Sequence, residues 1–152
     1  MHNLTDQKFV IIVGQERSGT KMLTNYIANA PDCFCIQRKG AGGALEMNEL
    51  LRAYRVFGDP EVDENWALFL AYFKHSNLLK CSPLNENTDN IISMEGPRDY
   101  LRFVLNFINQ CRVTLGLDYS IFKTSPLAAH RIMKALPEAY YVIIRRNVWD
   151  KT

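Results

Sequence analysis

The apolar positions of this chain fall into two kinds of pattern. Lys8 to Val13 reads as a strand, a short apolar run rich in β-branched residues, as expected where both faces are buried. Gly14 ends it. From Thr20 to Asn29 the period changes: Met22, Leu23, Tyr26 and Ile27 recur at helical spacing, and Pro31 closes the helix. Ala30 to Ala44 is loop-like, with Arg38, Lys39 and a group of glycines. Leu45–Phe57 and Asp63–His75 read as helices, the second with Trp66, Phe69, Leu70 and Phe73 on one face. Ser82 to Ser93 is polar and Asn-rich, the pattern of a surface loop. Pro97 stands where a first-turn proline belongs. Tyr100–Leu115 then forms a long amphipathic helix that stops at Gly116. Tyr119–Lys123 is a second strand, Pro126–Leu136 a helix, and Tyr140–Arg145 a third strand.

Strand, helices, strand, helix, strand is the order of a parallel α/β sheet. Anionic ligands of such sheets bind beyond the carboxyl ends of the strands, beside helix N-termini. No internal repeat, low-complexity segment or linker divides the chain, so 1–152 is expected to be a single domain.

Composition narrows this only a little. The apolar and charged fractions, 47% and 22%, are those of an ordinary globular protein. A net charge of +2 gives no field that argues for nucleic acid or membrane partners. No apolar run has the length of a membrane span, and "MHNLTDQKF" lacks the apolar region of a signal peptide. A reducing cytoplasm is therefore the expected compartment, and the sequon Asn3-Leu4-Thr5 carries little weight there. The four cysteines lack zinc-site spacing. Cys33-x-Cys35 allows a metal or redox pair, with buried thiols the simpler reading.

Chemistry concentrates in Gly14-Gln15-Glu16-Arg17-Ser18-Gly19-Thr20-Lys21, between the first strand and the first helix. Two glycines let the backbone approach an anion, and successive amides from Arg17 to Lys21 can point at it with help from the helix dipole. Arg17 adds a forked guanidinium suited to phosphate or sulfate oxygens; Ser18 and Thr20 add hydroxyls. A nucleoside-triphosphate loop would have Lys directly after the second glycine and a hydroxyl next, to hold magnesium. Here Thr20 precedes Lys21, and no apolar strand ends in the Asp that would complete the metal site; Asp118 precedes its strand. A P-loop kinase or nucleoside triphosphatase is the weakened alternative.

"ERSGTKML" after a buried strand resembles the 5′-phosphosulfate loop of sulfotransferases that use 3′-phosphoadenosine 5′-phosphosulfate (PAPS). "IFKTSPLAAHRIMKALPEAYYVIIRRNVWD", Ile121–Asp150, resembles that family's Lys-x-Pro strand end, helix, turn, and strand leading to an Arg that meets the 3′-phosphate. "NAPD", Asn29–Asp32, is similar to the family's segment after the first helix. The resemblance covers nearly the whole chain, most loosely over Cys33–Glu95. It implies a three-layer α/β/α fold like that of P-loop nucleoside triphosphatases. It also implies transfer of a sulfuryl group from PAPS to a hydroxyl or amine acceptor on a small molecule, carbohydrate or peptide.

Residue by residue, the resemblance implies that Arg17, Ser18, Gly19, Thr20 and Lys21 hold the 5′-phosphosulfate. Arg146, ahead of Arg145 as a candidate, would meet the 3′-phosphate. Lys123 would stabilise charge at the transferring group. A general base is needed for the acceptor proton; Glu46 is the first candidate, with Glu49, His75 and His130 behind it. No metal is required by this chemistry. Trp66, Tyr72 and Phe73 are available to an acceptor or to the core. Val148 stands where the family has Pro, and the family's 3′-phosphate serine would fall beyond Thr152. The expectation is therefore a fragment or truncated relative that ends within its own cofactor motif, and a non-catalytic relative is the further alternative.

Overall fold

The computed structural model describes residues 8–15, 18–36, 52–85 and 98–145. Within them the chain runs β1 (Phe9–Gly14), α1 (Thr20–Ala28), β2 (Cys33–Phe34), α2 (Ala53–Val56), α3 (Asp63–Lys74), α4 (Asn77–Lys80), α5 (Tyr100–Thr114), β3 (Tyr119–Thr124), α6 (Pro126–Ala135) and β4 (Tyr140–Ile144). The strands form a four-stranded sheet in the order β2-β3-β1-β4, parallel at every pairing. The fold is therefore α/β, as the alternation of apolar patterns requires.

β1 is hydrogen-bonded along both edges, by β3 through Phe9↔Ser120 to Val13↔Thr124 and by β4 through Val10↔Tyr140 to Gly14↔Ile144. Side chains alternate across the sheet. Phe9, Ile11, Val13 and Phe122 face the main core together with Val104, Phe107 and Ile108 of α5 and Ala128, Ala129 and Ile132 of α6. Ile12 and Ile121 are equally buried but lie outside that cluster, on the opposite face. α1, which packs on β1 and β3, covers this second face. The connections explain the layering. From β1 the chain crosses toward β2, from β3 it crosses the other way toward β4, and right-handed crossovers then place α1 and α6 on opposite faces.

An aromatic cluster anchors α3 and α5. Phe69 is 1% exposed and meets Trp66, Tyr100 and Phe103 at ring-centroid distances of 5.4, 4.6 and 5.5 Å. Phe73 stands edge-on to Phe103 and Phe107 at 5.1 and 5.0 Å. Trp66 and Phe73 thus belong to the core, whereas Tyr72 stays exposed. The turn from α5 into β3 is closed by Arg112. Its Nη1 donates to the carbonyls of Leu117 and Asp118 at 2.7 and 3.2 Å, and its Nε and Nη2 donate to Asn109 Oδ1.

Three segments differ from the sequence pattern. Within the stretch read as loop, Cys33–Phe34 forms β2; the amides of Asp118 and Tyr119 both donate to the Asp32 carbonyl at 3.0 Å, which fastens β2 to β3. Ser82 and Leu84, read as part of a surface loop, are buried after the one-turn helix α4. The long helix begins at Tyr100, with Asp99 as its N-cap accepting from the Arg102 amide at 2.8 Å; Pro97 lies outside the described residues. Of the helix read over Leu45–Phe57, Ala53–Val56 is seen and 45–51 lie outside the described residues.

Removing the Phe69 ring leaves a cavity bounded by fixed aromatic neighbours. Phe69→Ala is expected to lower stability by about 3–5 kcal/mol, read as a drop in the urea midpoint at unchanged m-value.

Candidate functional site

β1 and β3 are neighbours one strand spacing apart, yet the chain leaves them toward opposite faces. A crevice therefore opens at their carboxyl ends, where ligands of open α/β sheets bind. On the β1 side lies the Gly14–Lys21 loop; on the β3 side lie Lys123, Thr124 and Ser125.

The loop folds back tightly on its own start. Ser18 donates both its amide and its hydroxyl to the Gln15 carbonyl, at 3.2 and 2.6 Å. This brings Ser18 and Thr20 against Gly14: a Cβ added there would stand 2.6 Å from Thr20 Cγ2 and 2.7 Å from Ser18 Oγ. Only a residue without a side chain fits. Gly19 is needed for a different reason. It is the N-cap of α1 in the left-handed region, φ 86°, and a Cβ added to it would meet nothing within 4 Å. Backbone conformation alone selects glycine at this position.

α1 begins without the usual compensation at its amino end. No side chain caps it, its first turn carries no acidic residue, and the first intrahelical bond is Leu23 N–H to the Gly19 carbonyl at 3.0 Å. The amides of Thr20, Lys21 and Met22 have no partner within the helix. Lys21, exposed at the second helical position, puts a cation at the positive end of the dipole, where it opposes helix stability. An anion seated on these amides reverses the sign of that interaction. Thr20 is buried, and Thr24 Oγ1 donates to the Thr20 carbonyl at 2.7 Å, which holds the first turn in place.

Across the crevice, Lys123 is the register partner of Ile12 and is only 8% exposed. It shares the α1 face of the sheet and is not the solvated strand-end lysine that its position in the sequence allows. Thr124, paired with Val13, is buried with its Oγ1 unpartnered, and Pro126 starts α6 directly after Ser125. On the far side of β1, β4 ends at Ile144 and Arg145 follows, exposed.

The structure thus brings together Ser18, Gly19, Thr20, Lys21 and Lys123 at the carboxyl ends of adjacent strands. Arg17, Glu46, Glu49 and Arg146 lie outside the described residues. His75 and His130 are exposed on α3's end and on α6. What the sequence did not signal is the burial of Lys123 and the crowding at Gly14, since both arise from pairings between distant segments.

Among the described residues no group of three or more His, Cys, Asp or Glu is placed to hold a metal ion. The thiols of Cys33 and Cys35 are partly buried: desolvation pushes Cys35 up to about 12, and desolvation followed by the Asp32 charge raises Cys33. Cys111, on α5, is likewise pushed up to about 12 by burial. None of the described helices is long and apolar enough to cross a membrane.

A strand, an uncapped glycine turn and a helix amino end, with a buried lysine on the neighbouring strand, lie together at the carboxyl edge of a parallel α/β sheet. The sequence profile of the Sulfotransferase family matches residues 10–152, and the chain belongs to that family. No curated protein and no solved structure matches it significantly.

Because a Cβ at Gly19 meets no neighbour, the cost of Gly19→Ala is purely conformational. It is expected to be about 1–2 kcal/mol in chemical denaturation. Gly19→Asn, which tolerates the left-handed region better, is expected to lose less.

Proposed function

We propose that this chain is a PAPS-dependent sulfotransferase domain acting on a hydroxyl or amine acceptor. The observation that carries the reading is the amino end of α1: an uncapped helix start, built on two obligatory glycines, follows the strand that pairs with the one carrying buried Lys123. Membership of the Sulfotransferase family supports the transferred group.

In this reading the amides of Gly19–Lys21, the Thr20 hydroxyl and the Arg17 guanidinium take the 5′-phosphosulfate. Ser18 joins them by turning its hydroxyl from the Gln15 carbonyl; until then it braces the loop. Arg146, just past the end of β4, takes the 3′-phosphate. The acceptor oxygen or nitrogen forms its bond to sulfur while the bond from sulfur to the phosphate oxygen breaks, in line. Glu46 receives the acceptor proton. The departing electron pair stays on the phosphate of the bisphosphate product, where Lys123 and the loop amides stabilise the charge. Lys123 suits this task because burial keeps water from screening it, and its field at a neighbouring oxygen is stronger for that.

The reading separates cleanly from a nucleoside-triphosphate site. The hydroxyl of Thr20 precedes Lys21, and β3 and β4 run out into Lys123-Thr124 and Arg145, with no carboxylate at either end.

Isothermal titration with adenosine 3′,5′-bisphosphate, the spent cofactor, tests it. Binding is expected with a Kd of about a micromolar, weakened at least about tenfold by Arg17→Ala and by Arg146→Ala. Preference for magnesium-ATP over the bisphosphate would reject the sulfotransferase reading in favour of a kinase or triphosphatase.

A further inference from the structure

β4 is an edge of the sheet. β1 pairs with it on one side, and among the described residues no strand pairs with it on the other. Such an edge carries a row of unpaired backbone donors and acceptors, and proteins usually blunt it with a very short strand, a charge or a proline. The opposite edge follows that rule, since β2 is 2 residues long and its Phe34 is buried. β4 does not. Tyr140-Tyr141-Val142-Ile143-Ile144 is a run of 5 apolar or aromatic residues with no charge, proline or glycine. Both of its faces stay open: Tyr140 and Val142 on the α1 face are 62% and 36% exposed, and Ile143 on the other face is 54% exposed. α1 packs on β1, β2 and β3, and α6 packs on β1.

The charges at the two ends of β4 select what fits along it. Glu138 precedes the strand and Arg145 follows it; both are exposed, and neither forms an ion pair among the described residues. An antiparallel neighbour therefore needs a cation at one end, an anion at the other, and apolar residues between. A second copy of β4 has that sequence. In the symmetric register that pairs the whole strand, Val142 lies opposite Val142 of the copy, Tyr140 opposite Ile144, and Tyr141 opposite Ile143. Aromatic and β-branched residues make favourable cross-strand pairs, and no like charges face each other. Arg145 then falls opposite Ala139, beside Glu138. A parallel copy would set Glu138 against Glu138 and Arg145 against Arg145.

We propose that the free edge of β4 is a self-association surface, on which a second copy of this chain adds its own β4 antiparallel to form one continuous sheet. The proposal draws nothing from the sulfotransferase reading. Because the pairing is short, the dimer belongs to the small, reversible class of interfaces.

Sedimentation velocity on the full chain, over about a hundredfold range of concentration, tests it. The wild-type chain is expected to pass from monomer to dimer. Val142→Lys sets two ammonium groups opposite each other and is expected to weaken the dimer at least about tenfold, and Val142→Glu likewise. An equal mixture of the two variants is expected to restore it, because Lys then faces Glu. Glu138→Lys, exposed and outside the strand, is expected to weaken the dimer at least about threefold. A wild-type monomer at every concentration would overturn the proposal. So would a dimer indifferent to these substitutions, or a mixture that stays monomeric.

Hydrogen exchange in the wild-type chain gives a readout that needs no substitution. Amides of Tyr140–Arg145 are expected to exchange more slowly as concentration rises, while those of Cys33 and Phe34 on the other edge stay unchanged. Exchange along β4 that is independent of concentration would overturn the proposal even if a variant fails to fold.

Discussion

The placement of β1 between β3 and β4 is the constraint on which the remaining structure depends. Hydrogen-bonded along both edges and covered on both faces, it has to be apolar throughout, and its backbone polar groups are satisfied only by the two parallel neighbours. That geometry fixes where the chain emerges. The Gly14–Lys21 loop starts at the centre of the sheet's carboxyl edge, flanked by the ends of β3 and β4. Every candidate group described at the site inherits its position from this one strand.

Electrostatics then follows from how α1 begins. A helix start without a capping side chain or an acidic first turn is an unfavourable way to begin a helix, and Lys21 makes it less favourable still. Lys123, buried on the adjacent strand, lies on the same face of the sheet as α1. In the proposed reading, an anion at the amino end of α1 offsets the unfavourable helix start.

Much of this was legible in the sequence because the relevant signals are local. The apolar run of β1, the helical period of α1, α3 and α5, and Pro126 opening α6 each depend on residues close together in the chain. β2 was not legible: two residues carry no period, and Cys33–Phe34 is a strand only because Tyr119 and Ser120 pair with it. Ser82 and Leu84 read as loop because their stretch carries no apolar period, yet both are buried and Leu84 joins the main core. The Gly14–Lys21 loop was readable as a motif, but its closure onto Gly14 was not. Nor was the burial of Lys123, which follows from its register with Ile12. The roles of Arg17, Glu46 and Arg146 come from the family resemblance, and these residues lie outside the described segments.

Whether the crevice between β1 and β3 seats a phosphosulfate at the amino end of α1 is decided by a crystal structure of the chain with adenosine 3′,5′-bisphosphate. The 5′-phosphate is expected on the amides of Gly19–Lys21, within reach of Lys123, and the 3′-phosphate beyond the end of β4 beside Arg146. A nucleotide bound with its phosphates away from the α1 amino end, or with the 3′-phosphate facing solvent far from β4, would refute that placement.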